Sequence, residues 1–446
     1  MKKLTRVLSL CTAALLLAGS LAACGGTESV TASSASAEQT AAFEPRLDTE
    51  ASVTLEVSGF FGNFEALDQV LNNFNEYYPN VELVYEQNNG AMLAEYLKNN
   101  PQVDIFMTDD TNLRYDDWDG YYVRDNCVDL TAAGVDTSAV GDDMLESCTF
   151  DGQLLRLPMS LNLTGMVVNK SLLEKEGLAV PTTWQEFLDV CAALKAKGYT
   201  PIQGPEESVY SNLVYAMGMD IISDSDTMAA LNSGDDAAVE KVLPAFERIQ
   251  TLVDNGYIDP AVNADYPTDN YDGAILKFFE GDVPFWVCNT EKVSGMRKRE
   301  SKSDAFSANP FDYEFMYIPV GDEGVYEYVE PWFGFSVNKN SDDYDYAVEF
   351  VRFLAQGDQL NTIASVKGVP SITKHADDDR YTPLKETAKV QQRFVNDGTV
   401  LNHMKDYFSH EVENLGQGET ASPEDAARTY VARCAETAAE MAEQAQ

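Results

Sequence analysis

The chain has 446 residues, 44% of them hydrophobic and 11% aromatic, enough for a large core and for two domains. Its 73 acidic against 31 basic residues give a formal net charge of −42 at pH 7, a field that opposes nucleic acid and most anionic ligands. Scattered acids of this kind are ordinarily a solvated surface, so the balance excludes partners without naming one.

The chain begins with Lys2, Lys3 and Arg6, then a short apolar core from Val7 to Ala18, then small residues, which is the order of a secretory signal. The core is too short to span a bilayer, which takes roughly 20 residues. Leu21, Ala22, Ala23 and Cys24 match the bacterial lipobox. The match implies that residues 1–23 are removed and that Cys24 becomes the lipidated first residue of the mature chain. Two or more acyl chains, at about 0.8 kcal/mol per buried CH₂, would hold a folded domain on a membrane surface. Ordinary cleavage near Ala23, with Cys24 an incidental thiol, is the alternative. Residues 24–45 are rich in Gly, Ser, Thr and Ala and cannot bury enough surface to order themselves, so they are expected to form a flexible tether.

VTLEV at 53–57 alternates as a strand, and Gly59 and Gly62 break it. Leu67, Val70, Leu71, Phe74 and Tyr78 then fall at helical spacing, with Pro79 as a stop. Strands are expected again at 81–87 and 103–108, the second running into Asp109 and Asp110. Strand, helix, strand, helix, strand is the signature of a parallel α/β sheet, whose ligands sit outside the carboxyl ends of the strands. The loops at 58–63 and 109–119 are therefore candidate binding loops. Thr183 and Glu186 fit a capping box for a helix that Gly198 ends, and its apolar face, Trp184 included, is read as structural. Further helices are expected at 236–255, 273–280, 343–356 and 423–445, the last capped by Ser422 with Pro423 at its first position. Strands are expected at 283–289, 313–320 and 333–338, and this second pass of strands indicates two lobes that exchange the chain more than once.

Beyond Cys11 and Cys24, five cysteines remain: Cys127, Cys148, Cys191, Cys288 and Cys434. Their spacings match no zinc pattern, and an odd number leaves at least one thiol unpaired. Cys191 and Cys434 lie among apolar helical positions and read as core, while a Cys127–Cys148 bridge stays open.

Four segments in order carry a family resemblance: MVVNKSLLEKEGLAVPTTWQEF, FFEGDVPFWVCN, PWFGFSVNKNSDDYDYAVEFVRFLAQGDQ and KGVPSIT. Behind the lipobox, the chain resembles the extracellular solute-binding lipoproteins of bacterial ABC importers, in particular the carbohydrate-binding family that includes maltose-binding protein. The resemblance implies a two-lobed α/β clamp of the periplasmic-binding-protein type, with an interdomain hinge and a cleft. It places residues 46–162 plus 284–322 in lobe 1 and 163–283 plus 323–446 in lobe 2, crossing first at Leu161–Gly165 and again near 280–284 and 322–332. It also implies a small-molecule carbohydrate ligand, ABC permease subunits as partners, a monomer on the extracytoplasmic face of the membrane, no cofactor and no metal.

A sugar offers a face of C–H groups and an edge of hydroxyls, suited respectively by aromatic rings and by Asp, Asn and Glu. Such residues gather where the lobes should meet: Phe61 and Asn63 after the first strand, Asp109, Asp110 and Trp118 after the third, and Asn162 at the hinge. Asn289 and Glu291 follow a late strand, and Glu330 with Trp332 precede another. Asn289 falls where the family motif delivers a polar residue to the cleft, and Trp332 where many members stack a sugar ring. Asn-Thr-Glu stands where the family commonly has Gly-x-Trp. Phe60 fits packing as well as ligand contact, and Trp286 reads as core.

Three other readings stand beside this one. A clamp for a cation such as a polyamine is suggested by the surplus of acids. An anchored glycosidase needs a pair of carboxylates, which the chain has in abundance, but no hydrolase motif accompanies them, and the three histidines, His375, His403 and His410, all lie late in the chain. A calcium-dependent adhesin is disfavoured because TDNYDG at 268–273 and YDDWDG at 115–120 lack the first ligand of a calcium loop.

Overall fold

The computed structural model describes residues 43–62, 64–109, 112–113, 118–266, 271–374, 389–395 and 402–444. In chain order the first strands are β1 (Val53–Gly59), β2 (Val81–Gln87), β3 (Ile105–Thr108), β4 (Thr149–Phe150), β5 (Gln153–Leu154) and β6 (Leu157–Pro158). There follow β7 (Leu161–Asn169), β8 (Ile202–Gln203), β9 (Phe285–Asn289), β10 (Tyr313–Met316), β11 (Val325–Pro331), β12 (Gly334–Val337) and β13 (Val390–Val395).

The alternation of VTLEV becomes β1, the middle of a parallel trio in which Val53 to Gly59 pair with Val81 to Gln87 of β2, while Val57 and Ser58 pair with β3. The Glu65–Phe74 helix buries Leu67, Val70 and Phe74 of the expected stripe together with Ala66, while Leu71 is half-buried and the buried Tyr78 lies past the helix end. Beyond β3 the first sheet continues antiparallel through β12 to β6, giving the order β2-β1-β3-β12-β6.

The second sheet runs β13-β11-β7-β9-β8. β7 is its long central strand: β9 flanks one edge antiparallel, while β11 and then β10 share the other, beside Leu161–Thr164 and Met166–Asn169. Gly165, between those two stretches, lies so close to β10 that a Cβ there would meet the Met316 carbonyl at 2.4 Å. Successive β7 side chains face opposite ways. Leu163 and Val167 join a core that also holds Leu55, Val57 and Phe64 of the first lobe, and Met166 and Val168 join the core under the Trp184–Ala196 and Ala237–Asp254 helices.

This topology corrects the expected division of the chain. Residues 284–322 do not belong with the first lobe, because β9 and β10 hydrogen-bond along β7 in the second sheet, while β12 lies beside β3 in the first. The turn at 280–284 therefore joins a helix to a strand of the same sheet. The chain passes between sheets where β6 gives way to β7, where β11 gives way to β12, and again between β12 and β13. A run such as FWVC is apolar on both faces and suits either sheet, so its pattern carries no information on its partner.

Local signals hold closely. The Thr183 hydroxyl accepts from Glu186 N–H at 3.3 Å, although the Glu186 carboxylate reaches Thr182 N–H rather than that of Thr183. Ser422 accepts from Asp425 N–H at 3.1 Å ahead of Pro423. Trp286 is buried and stacks on Phe278, and Cys191 and Cys434 are core residues. No Cys127–Cys148 bridge forms: all five described thiols are unbridged and buried.

Candidate ligand-binding site

The site is assembled from chain breaks at the ends of strands. β1 ends at Gly59, where a Cβ would approach the Tyr85 hydroxyl to 2.7 Å, so only glycine lets the chain turn under that ring. Tyr85 then donates to the Phe61 carbonyl at 2.8 Å and fixes the loop that carries the Phe61 ring. Trp332 lies in the crossing from β11 to β12, its N–H donating to Ser160 O at 2.9 Å, and its ring meets Phe61 edge to face at 5.5 Å. Phe333, fully buried beneath both, is 5.1 Å from Phe61.

The Gly357–Lys367 helix brings a cation to these rings. It ends because Gly368 adopts φ 70°, the left-handed cap that glycine favours, which leaves Lys367 in the last turn. The Lys367 ammonium sits 3.7 Å from the Phe61 ring centroid, 5.4 Å from that of Trp332 and 5.6 Å from that of Phe64. Removal from water, and then the charge of Lys298, bring its pKa down from 10.5 to about 8, while Glu291 and Glu65 pull the other way.

The opposite wall is the Thr290–Glu300 helix of the second lobe. Asn289 caps it, its side-chain oxygen accepting from Lys292 N–H at 3.2 Å. Glu291, Ser294, Gly295, Lys298 and Arg299 share the face at helical spacing and line a pocket of about 290 Å³. Phe61, Glu65, Lys367 and Trp332 line its other side, so first-lobe residues and Trp332 of the crossing face the second-lobe helix across one cavity. Arg299 is committed to Asp272, which accepts from its Nη2 at 2.6 Å and from Lys302 at 2.8 Å.

At the crossing between the sheets lies a part-buried hinge network. Asn162 and Glu330 stand opposite each other across β7 and β11, and the Asn162 amide donates to the Glu330 carboxylate at 3.0 Å. Thr290 Oγ accepts from Leu163 N–H at 3.1 Å and lies 3.2 Å from the Asn162 side-chain oxygen. The start of the pocket-lining helix is thus tied to the strand that follows the first crossing between sheets.

Of the residues expected in the site, Phe61, Glu291 and Trp332 come together at the pocket. Asn162 and Glu330 lie in the hinge network, and Asn289 serves as a helix cap. Asp109 follows β3 and accepts from Asn112 N–H at 3.1 Å, away from the pocket lining. Asn63, Asp110 and Cys24, and the side chain of Trp118, lie outside the described residues. Sequence reading does not single out Glu65, Lys298, Arg299 or Lys367. A signal was present: Arg297, Lys298 and Arg299 are three consecutive bases in a strongly acidic chain, and Lys367 opens KGVPSIT.

Two α/β lobes, with a pocket lined by described residues of both, define a binding clamp for a small solute. Residues 69–392 match the family described as bacterial extracellular solute-binding protein, and the chain belongs to that family. A probable sugar-binding periplasmic protein of Rhizobium meliloti is 29% identical over 118 residues, a match covering 25% of this chain and 27% of that relative's length. The fold is similar to RafE in complex with raffinose, with a TM-score of 0.64 and 16% identity over 86% of this chain and 99% of that one. It is likewise similar to the ABC substrate-binding protein Lmo0181 from Listeria monocytogenes in complex with cycloalternan, with a TM-score of 0.59 and 17% identity over 87% and 99% of the two chains. No helix among the described residues is long and apolar enough to cross a membrane.

Proposed function

We propose that this chain captures a mono- or oligosaccharide between its lobes and delivers it to the permease of an ABC importer, while lipid on Cys24 tethers it to the extracytoplasmic face of the membrane. The observation that carries this reading is the pocket itself, in which the rings of Phe61 and Trp332 face the polar side chains of the Thr290–Glu300 helix. Rings suit the C–H face of a sugar and the polar wall suits its hydroxyls. A ligand touching both walls stabilises the closed arrangement through contacts that an open one lacks, and closure is the signal a permease can recognise. The sugar-binding relative and the saccharide complexes with the same fold support this choice of ligand class. Lys298, Arg299 and Lys367 at the pocket weigh against a polyamine, which would bring further positive charge to them.

A thermal-shift panel of saccharides, polyamines and amino acids on the chain from Thr27 onward tests the reading. At a hundred times its dissociation constant a ligand stabilises the fold by about 2.7 kcal/mol. A response to one saccharide series, diminished in Trp332→Ala, is expected; silence to every sugar would remove the assignment. Turnover of chromogenic glycosides, abolished by changing one cleft carboxylate, would replace it with an enzyme. Membrane association lost on Cys24→Ala is the expected mark of the anchor.

A further inference from the structure

We propose that the cargo is an anionic saccharide, one bearing a carboxylate such as a hexuronic acid, and that Lys367 of the first lobe and Lys298 of the second receive that carboxylate. The inference rests on the clamp reading above and narrows its ligand.

Both ammonium groups line the same pocket from opposite walls. Among the described residues neither enters an ion pair or a side-chain hydrogen bond, whereas Arg299 beside them is held by Asp272. Lys367 is the more demanding of the two. Its ammonium has three donors, and ring faces are its described close partners; these attract the charge but accept no conventional hydrogen bond. A cation withdrawn from water without a counter-charge is costly, and closing the lobes over it withdraws it further. Burial first, and then repulsion by Lys298, hold the Lys367 pKa below that of a free lysine.

A neutral sugar can supply acceptors but leaves two like charges facing each other. A carboxylate between them supplies acceptors, offsets both charges and bridges the lobes, so it favours closure for the same reason that it binds. Glu65 and Glu291 line the pocket as well, one on each wall, and suit the neutral hydroxyls of the same ligand. The acidity of the whole chain does not oppose this, since exposed charges are screened beyond a Debye length of about 8 Å at physiological salt while the pocket charges are adjacent to the ligand.

The test is calorimetry on the full-length chain in detergent with matched probes: glucuronate and galacturonate, alone and as short oligomers, against glucose and galactose series of equal length. The uronate is expected to bind at least tenfold more tightly than its neutral counterpart and to weaken as salt rises from 50 to 500 mM. In Lys367→Met that preference is expected to fall below threefold, and in Lys298→Met to shrink less. Neutral sugar bound as tightly as uronate would overturn this inference and leave the clamp reading standing. Silence to both series would overturn both. An undiminished preference in both variants would show that the carboxylate lies elsewhere and overturn the assignment to these lysines.

Discussion

Asn162 and Glu330 are bonded to each other at the point where the chain leaves one sheet for the next, so two residues with sugar-binding chemistry are joined in the hinge. The Asn162 oxygen lies within reach of Thr290, which accounts for both ends of its amide. Asn162→Ala is therefore expected to lower stability by about 1–3 kcal/mol through the polar atoms it strands, while changing sugar affinity only a few-fold. Paired thermal melts and titrations separate the two effects; a large loss of affinity without loss of stability would make Asn162 a direct ligand contact.

The aromatic wall gives the converse pattern. Phe61→Ala and Trp332→Ala are each expected to weaken saccharide binding by about tenfold to a hundredfold, or ~1.4–2.8 kcal/mol. Because each ring packs on the other and on Phe333, the double variant should lose less than the sum of the single losses. Strict additivity in the double-mutant cycle would mean that the rings act on the ligand independently.

Lys367 gives stability a dependence on pH. Its folded-state pKa of about 8 lies below the ordinary 10.5 of a lysine. Below pH 8 both folded and unfolded chains carry the proton, and the folded state bears the full cost of the buried charge. From pH 8 to 10.5 the folded state sheds its proton while the unfolded state retains it, so this cost is progressively relieved. The groups facing the ammonium are Lys298, Glu291 and Glu65, with Arg299 on the same pocket wall. The difference in melting temperature between Lys367→Met and the wild type is expected to be most favourable to the variant near pH 7 and to shrink toward pH 10. A difference that does not vary with pH would mean the lysine titrates at its ordinary value.

Gly165→Ala tests the packing of the second sheet. A methyl there meets the Met316 carbonyl at 2.4 Å and the Phe315 ring at 2.6 Å, and the former is backbone that cannot step aside. A destabilisation of about 1–3 kcal/mol is expected by chemical denaturation. A neutral result would show that β10 shifts freely along β7.

The five described thiols are buried and unbridged, and burial pushes the Cys127 thiol up to about 12. A reducing agent is expected to leave the melting temperature unchanged. A fall of several degrees would reveal a disulfide.

The readable parts of the sequence were those whose physics is local. The stripe from Leu67 to Phe74, the Thr183 and Ser422 caps and the parallel pairing of the first strands follow from spacing and from short-range hydrogen bonds. The partner of β9 did not, because Phe285 to Cys288 are buried on both faces and long-range pairing alone assigns them to β7. Phe61 and Trp332 were legible as aromatic residues at strand ends, and the pocket joins them. Lys367 was not, since its importance comes from meeting rings some 300 residues earlier in the chain, and nothing in a terminal helical lysine announces that contact. Asn289 was legible as polar but not as a cap, because the same side chain suits either use.

β7 has a consequence for how the molecule comes apart. Its alternate side chains are part of the core shared with the first lobe and of the core beneath the large helices, so neither hydrophobic interior is complete without it. Loss of that strand would open both at once. The two lobes are thus not expected to melt separately, and calorimetry should record one cooperative transition in which ligand binding raises the survival of the whole chain.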